Sequence, residues 1–359
     1  MLNKKGLPFP TFCFVKRYKR KIKQHIMRKL LFSSLLLAFS SMFILTSCSD
    51  DDDDQPTPPA PKTLTETISG DQRFTILVDA LTRTGLDATL DAQGTYTVFA
   101  PTDAAFNALL SDLELADLDE LEMRLTNSGL RDVLLYHVLG TEVRANEVST
   151  GYYGTASINS VGNSLSLYAS ANNGVRLNDA ADVTDVNITA SNGIAHVIDG
   201  VLLPLSIHGL VALNSNYSSL GAALNLADGN LDDVLAGNTA RYTLFAPNNS
   251  AFDALVAATP NVNNLAELVS AIGTDGLANV LLYHVVDGDV LAGDLSTGNY
   301  NTLATVSGGA TASFFVNISG STVGIIDNNN DSNEATVNKT DIIGTNGVLH
   351  FIDEVLLPE

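Results

Sequence analysis

Apolar positions along the chain fall into two kinds of period. Leu130, Val133, Leu134 and His137 stand at i, i+3, i+4 and i+7, and Leu277, Val280, Leu281 and His284 repeat that spacing. Each set predicts an amphipathic helix, with Gly140 or Gly288 as the expected left-handed stop. Phe106, Leu109 and Leu110, like Phe252, Leu255 and Val256, predict a second helix that begins at Thr102 or Asn248, both good N-caps. Period two marks the strands. Ile194, His196 and Ile198 alternate, as do Val348, His350 and Ile352, each set after an Asn-Gly turn signal. Thr97-Val98-Phe99 reads as a short strand ended by Pro101. Strands with helices gathered on one flank give an α+β fold.

Nearly every one of these elements occurs twice. Thr97 to Phe106 recurs as Thr243 to Phe252 with six of ten residues identical, 146 positions on. Leu134-Leu135-Tyr136-His137-Val138 recurs unchanged from Leu281 to Val285, at an offset of 147. Asn192 to Pro204 recurs as Asn346 to Pro358 with nine of thirteen identical, at 154. The growing offset places an insertion in the second copy, around Asp327 to Glu334. A period this long is a duplicated domain, because solenoid repeats run about 20–50 residues. The expected units are 64–204 and 205–359.

The three blocks, in this order, resemble the fasciclin domain family across both copies. The resemblance implies two tandem domains, each a wedge-like β-sandwich flanked by helices. It also implies extracellular adhesion or protein binding. In matrix members the Tyr-His pair is linked to integrin-type adhesion, which makes Tyr136, His137, Tyr283 and His284 candidates for a binding surface or for its scaffold. Some relatives bind carotenoids or lipids, so a carrier of an apolar small molecule is the alternative reading.

The N-terminal segment changes the picture of where this happens. Met27-Arg28-Lys29, the apolar stretch Leu30 to Leu45 and then Thr46-Ser47-Cys48 have the layout of an export signal. A spanning helix needs about 20 apolar residues, more than this stretch supplies. Leu45 to Cys48 resembles a bacterial lipobox, which implies Cys48 as the lipid attachment site and 27–47 as the signal peptide. Residues 1–26 are expected to be an upstream extension, with Met27 the natural start. Five aspartates, Asp50 to Asp54, follow the cysteine and resemble a surface-export tag. Pro56, Pro58, Pro59 and Pro61 then stiffen a stalk over 48–63. Together these features predict an outer-membrane, surface-displayed lipoprotein that meets the membrane through its lipid alone.

Charge narrows the partners. From Cys48 onward 40 acids face 9 bases, a formal −31. That excludes a nucleic-acid binder working by phosphate neutralisation. Cys13 and Cys48 are the only cysteines, so the body holds no disulfide and no thiolate nucleophile.

Candidate chemistry is sparse. His137, His284, His196 and His350 lie on apolar stripes, where a hydrogen-bonded core histidine is the usual finding. The Asp327 to Glu334 stretch has the acid spacing of a cation loop but carries Ser332 and Asn338 where Gly and Glu belong, so a solvated hairpin is expected. No enzyme motif, metal or cofactor signature stands out. The expectation is a non-enzymatic module that binds a protein or cell-surface ligand.

Overall fold

The computed structural model describes residues 60–358, apart from 230, 232–234, 236, 238–239, 307 and 329–333. The Cys48, signal-peptide and acidic-tag expectations therefore lie outside the described residues.

The first copy opens with three helices, α1 (Leu64–Ser69), α2 (Thr75–Thr84) and α3 (Asp87–Leu90). Strand β1 (Tyr96–Pro101) leads into α4 (Asp103–Asp112) and α5 (Leu118–Tyr136). Strands β2 (Val138–Leu139), β3 (Gly151–Ile158), β4 (Ser164–Ser170), β5 (Arg176–Leu177), β6 (Ala181–Ala190) and β7 (Gly193–Ile198) complete it. In the second copy α6 (Ile207–Ala212) and α7 (Ser218–Leu226) precede β8 (Tyr242–Pro247), α8 (Asn249–Ala258), α9 (Leu265–Ile272) and α10 (Thr274–Tyr283). Its remaining strands are β9 (Val285–Asp287), β10 (Gly298–Thr305), β11 (Thr311–Ser319), β12 (Thr322–Ile326), β13 (Glu334–Gly344) and β14 (Gly347–Ile352).

In the first copy seven strands run in the order β2-β1-β7-β6-β5-β4-β3. The second copy uses the same order and closes into a barrel through β9 and β10. The two layers of each wedge are thus halves of one curled sheet. Phe99, Tyr136, Leu167 and Ile198 fill its inside. A second core of Val98, Phe106, Leu130, Leu134 and Ala195 sits between sheet and helices. Because both faces of β7 and β14 are covered, all six residues of each are buried, where alternation had suggested one buried face.

Local chemistry explains the boundaries. Thr102 Oγ1 accepts from the Ala105 N–H at 3.3 Å and Asn248 Oδ1 from that of Ala251 at 2.9 Å, the expected caps. The predicted glycine stops are corrected. Helix α5 ends at Tyr136 with His137 as C-cap, and Gly140 has no left-handed backbone. Gly288 does, at φ 84°, but it follows β9 and so turns a strand. The imidazole itself closes the helix end, which removes the need for a glycine there. Thr126 (φ 68°, ψ 162°) breaks α5 where Gly273 (φ 77°, ψ 162°) separates α9 from α10. The run Leu265–Tyr283 is apolar and long enough to cross a membrane by composition, yet Gly273 breaks it and Leu268, Leu277, Leu281 and Tyr283 pack in the core.

The two copies meet along a seam. Tyr152 Oη donates to the Leu210 carbonyl at 2.9 Å, and the Ile343 N–H donates to Ser166 Oγ at 2.9 Å. The Tyr152 ring lies 4.9 Å from Tyr168 and 5.7 Å from Phe351. Arg241 forks onto Asp289 and also donates to Ser160 Oγ at 3.2 Å. Tyr168 is 7% exposed under this seam, whereas Phe315, its counterpart in the second copy, is 37% exposed. At the other end, exposed Thr189 and Arg144 stand where the seam uses Ile343 and Leu291. Equivalent positions of the two copies are thus covered at the seam and exposed at the opposite ends.

Candidate functional site

The repeated Tyr-His pairs are the first place to look for chemistry. Tyr136 and Tyr283 are 0% exposed, and His137 and His284 are 2% and 0%. His137 Nδ1 lies 2.7 Å from the Val133 carbonyl, and the Leu202 N–H donates to its Nε2 at 2.9 Å. An Nε2 that accepts fixes the neutral tautomer with the proton on Nδ1. His284 is held the same way, by the Val280 carbonyl at 2.8 Å and the Leu356 N–H at 2.9 Å. Burial pushes both imidazoles down to about 4. Each ring thus caps a helix and ties the last segment of its module to that cap. The tyrosines complete the tie. Tyr136 Oη donates to the Ser166 carbonyl at 2.7 Å and accepts from Asn178 Nδ2 at 3.0 Å, while Tyr283 Oη donates to the Ser313 carbonyl at 2.7 Å. Burial raises the Tyr136 phenol above its ordinary range.

His196 and His350 form a second repeated device. Nε2 of each donates to a carbonyl, of Val143 at 2.9 Å and of Val290 at 2.8 Å. Nδ1 accepts from Asn187 and Asp341, which sit at φ 59° in both copies. Burial lowers both histidines. All four imidazoles are therefore neutral and saturated, and none has a free nitrogen for a substrate or metal.

Two features escaped the sequence. Asn192 does more than turn the chain. Its Oδ1 accepts from the Leu64 N–H at 2.9 Å, and its Nδ2 donates to the Leu90 and Ala92 carbonyls. Asn346 repeats this with Ile207, Leu235 and Gly237. The signal was the recurrence of Asn-Gly itself, which a solvent-exposed turn would not require to be identical. The other feature is the seam, which also lines a cleft of about 450 Å³ that includes Tyr152, Asn163, Ser164, Lys339 and Asp341.

At the start of the expected solvated hairpin, the Asp327 carboxylate accepts from the Leu357 N–H at 2.8 Å and Asn328 donates to the Ser313 carbonyl. Residues 329–333 of that loop are outside the described residues. Among the described residues no three His, Cys, Asp or Glu side chains gather as a metal set.

A tandem pair of helix-flanked, seven-stranded modules pinned by buried neutral histidines defines a duplicated α+β domain class. The fasciclin domain model matches residues 72–204 and 215–358, and the chain belongs to the fasciclin domain family. It is 29% identical over 283 residues to human periostin, covering 75% of this chain and 29% of that protein. It is 27% identical over 273 residues to the transforming growth factor-beta-induced protein ig-h3 of Sus scrofa, covering 75% of this chain and 36% of that one. The chain thus spans about a third of these relatives. Immunogenic protein MPT70 of Mycobacterium tuberculosis is 34% identical over 148 residues, 40% of this chain and 62% of its own. A solved FAS1 domain pair from the insect cell adhesion molecule fasciclin I overlays with a TM-score of 0.43 at 18% identity, covering 82% of this chain and 95% of that one.

Proposed function

We propose that this chain is an exported lipoprotein, anchored through Cys48, that presents modules 64–204 and 205–359 outside the cell for adhesion to proteins or cell surfaces. The observation that carries the reading is the state of the four repeated histidines. The one chemistry-bearing set that both modules share is spent on the core, which leaves the outer surface to do the work. Tyr136, His137, Tyr283 and His284 are scaffold in this reading and support a binding surface without touching the partner. The seam adds to it, since two modules held at fixed spacing can engage a surface bivalently and make weak contacts hold.

Deleting residues 64–359 in the native host is expected to lower attachment to neighbouring cells or matrix, and protease added to intact cells is expected to remove the chain. Unchanged attachment, or a chain protected inside the cell, would overturn the proposal. A carotenoid or lipid carrier needs a deep apolar slot. The recess of about 340 Å³ at Asp79, Arg83, Asp117 and Asp119 is mostly polar, and that of about 450 Å³ at the seam sets Asn163, Ser164, Lys339 and Asp341 beside Leu291, Ile342 and Ile343, a mixed lining that does not favour that role.

A further inference from the structure

The cleft at the seam has walls from both modules and a distinctive chemistry. Tyr152, Asn163 and Ser164 come from β3, β4 and the turn joining them, and Lys339, Thr340 and Asp341 from β13. Strand β13 bulges between Lys339 and Ile342, with Asp341 in a left-handed conformation at φ 59°. A bulge of this kind re-aims side chains out of the regular ladder. Its volume falls in the range of about 300–1,000 Å³ that holds small ligands.

The polar groups around the cleft are largely unspent. The ammonium of Lys339, the carboxamide of Asn163 and the hydroxyls of Ser164 and Thr340 have no hydrogen-bond partner among the described residues. Asp341 commits Oδ1 to the Ala292 N–H at 2.8 Å and keeps Oδ2 free. Arg241, the other Lys or Arg of the second module, is spent on Asp289, Ser160 and the Thr345 carbonyl. In the first module the position of Lys339 is Asp185, which pairs with Arg73, and that of Asp341 is the neutral Asn187. The mixed set of donors and acceptors therefore belongs to the seam alone.

What fits it follows by elimination. An apolar ligand would strand several polar groups, at about 1–3 kcal/mol each where they lose water. An anion would meet the Asp341 carboxylate in a chain of formal charge −31 from Cys48 onward, and a cation would meet Lys339. A neutral polyhydroxylated ligand pairs with donors and acceptors alike and can rest its C–H surface against the apolar part of the lining, Tyr152 and Leu291. We infer that the seam cleft is a binding site for a neutral saccharide, one that bridges both modules. The inference stands apart from the adhesive reading, since a purified chain can bind sugar whether or not the cell adheres through it.

Saturation-transfer NMR on the intact, detergent-solubilised chain tests it, with cellotriose, maltotriose, mannotriose and triacetylchitotriose as probes and a sulfated heparin oligosaccharide as the charged control. At least one neutral trisaccharide is expected to bind, and Asn163→Ala and Lys339→Ala to weaken it about tenfold while melting within a degree or two of the parent. No transfer to any neutral probe, binding that survives both substitutions, or binding of the sulfated probe alone would overturn the assignment.

Discussion

Lowering the pH from 7 to 4.5 is expected to destabilise the modules through their buried histidines, by an amount the structure sets. His137 and His284 move from an ordinary 6.5 to about 4 because burial penalises the imidazolium and both ring nitrogens are already bonded. The unfolded chain takes up these protons near pH 6.5 and the folded chain refuses them until about pH 4. Stability is therefore intact above 6.5 and is lost as the pH falls toward 4. At pH 4.5 each ring costs its own module about 2.5 kcal/mol, a sizeable part of a typical domain's 5–15 kcal/mol. His196 and His350 shift in the same direction and add to the loss. The carboxylates lowered by partners, Asp71 and Glu267, are exposed and add little. Urea titrations followed by far-UV circular dichroism at half-unit pH steps measure the effect, since the chain has no Trp. His137→Gln should reduce the protons taken up on unfolding of the first module by nearly one and leave the second module unchanged. A stability that stays flat between pH 6.5 and 4.5, or a Gln variant with the full parental slope, would refute the reasoning.

Further substitutions probe the remaining devices by urea or thermal unfolding. Asn192→Ala leaves the Leu64 N–H and the Leu90 and Ala92 carbonyls without their partner, and is expected to cost the first module about 3–5 kcal/mol. A cost below about 1 kcal/mol would mean the clamp is incidental. Gly193→Ala places a Cβ about 2.2 Å from the Tyr96 carbonyl oxygen, where the parallel β1–β7 pair leaves no room, and should cost at least about 3 kcal/mol. Ser157→Ala should be neutral or stabilise by up to about 1 kcal/mol, because the buried Ser157 hydroxyl has no hydrogen-bond partner and the second copy carries Ala304 there. Replacing Tyr283 and His284 together by Ala is expected to lower adhesion only in proportion to the fall in melting temperature. A loss of adhesion with an unchanged melt would place the pair at the binding surface.

The elements that could be read from the sequence are those whose cause is local. The Thr102 and Asn248 caps and the Leu130-Val133-Leu134 stripe each need only a few neighbouring residues to declare themselves, and duplication supplied a second reading of each. The helix stop falls at His137 and not at Gly140 because the imidazole caps the Val133 carbonyl, in a ring orientation that Leu202, 65 residues away, holds from the other side. The Asn192 clamp depends on Leu90 and Leu64, at separations of 102 and 128. The seam was hidden for the same reason, since Ser166 and Ile343 lie 177 residues apart and nothing in either local pattern refers to the other. Repetition does carry a trace of it: Tyr168 and Phe315 keep an aromatic at one position, while Tyr152 becomes Asn299 and Ile343 answers to Thr189. Differences between copies, more than their identities, mark where the two modules touch.

The central claim is that this pair works by holding on to a surface. Inert beads coated with the intact chain, sheared across a layer of the native cells or their matrix, test it most directly. The account predicts retention that rises with coating density and that free chain competes away. Beads that wash off like uncoated ones, or a chain that alters the layer chemically while failing to stay on it, would contradict the account.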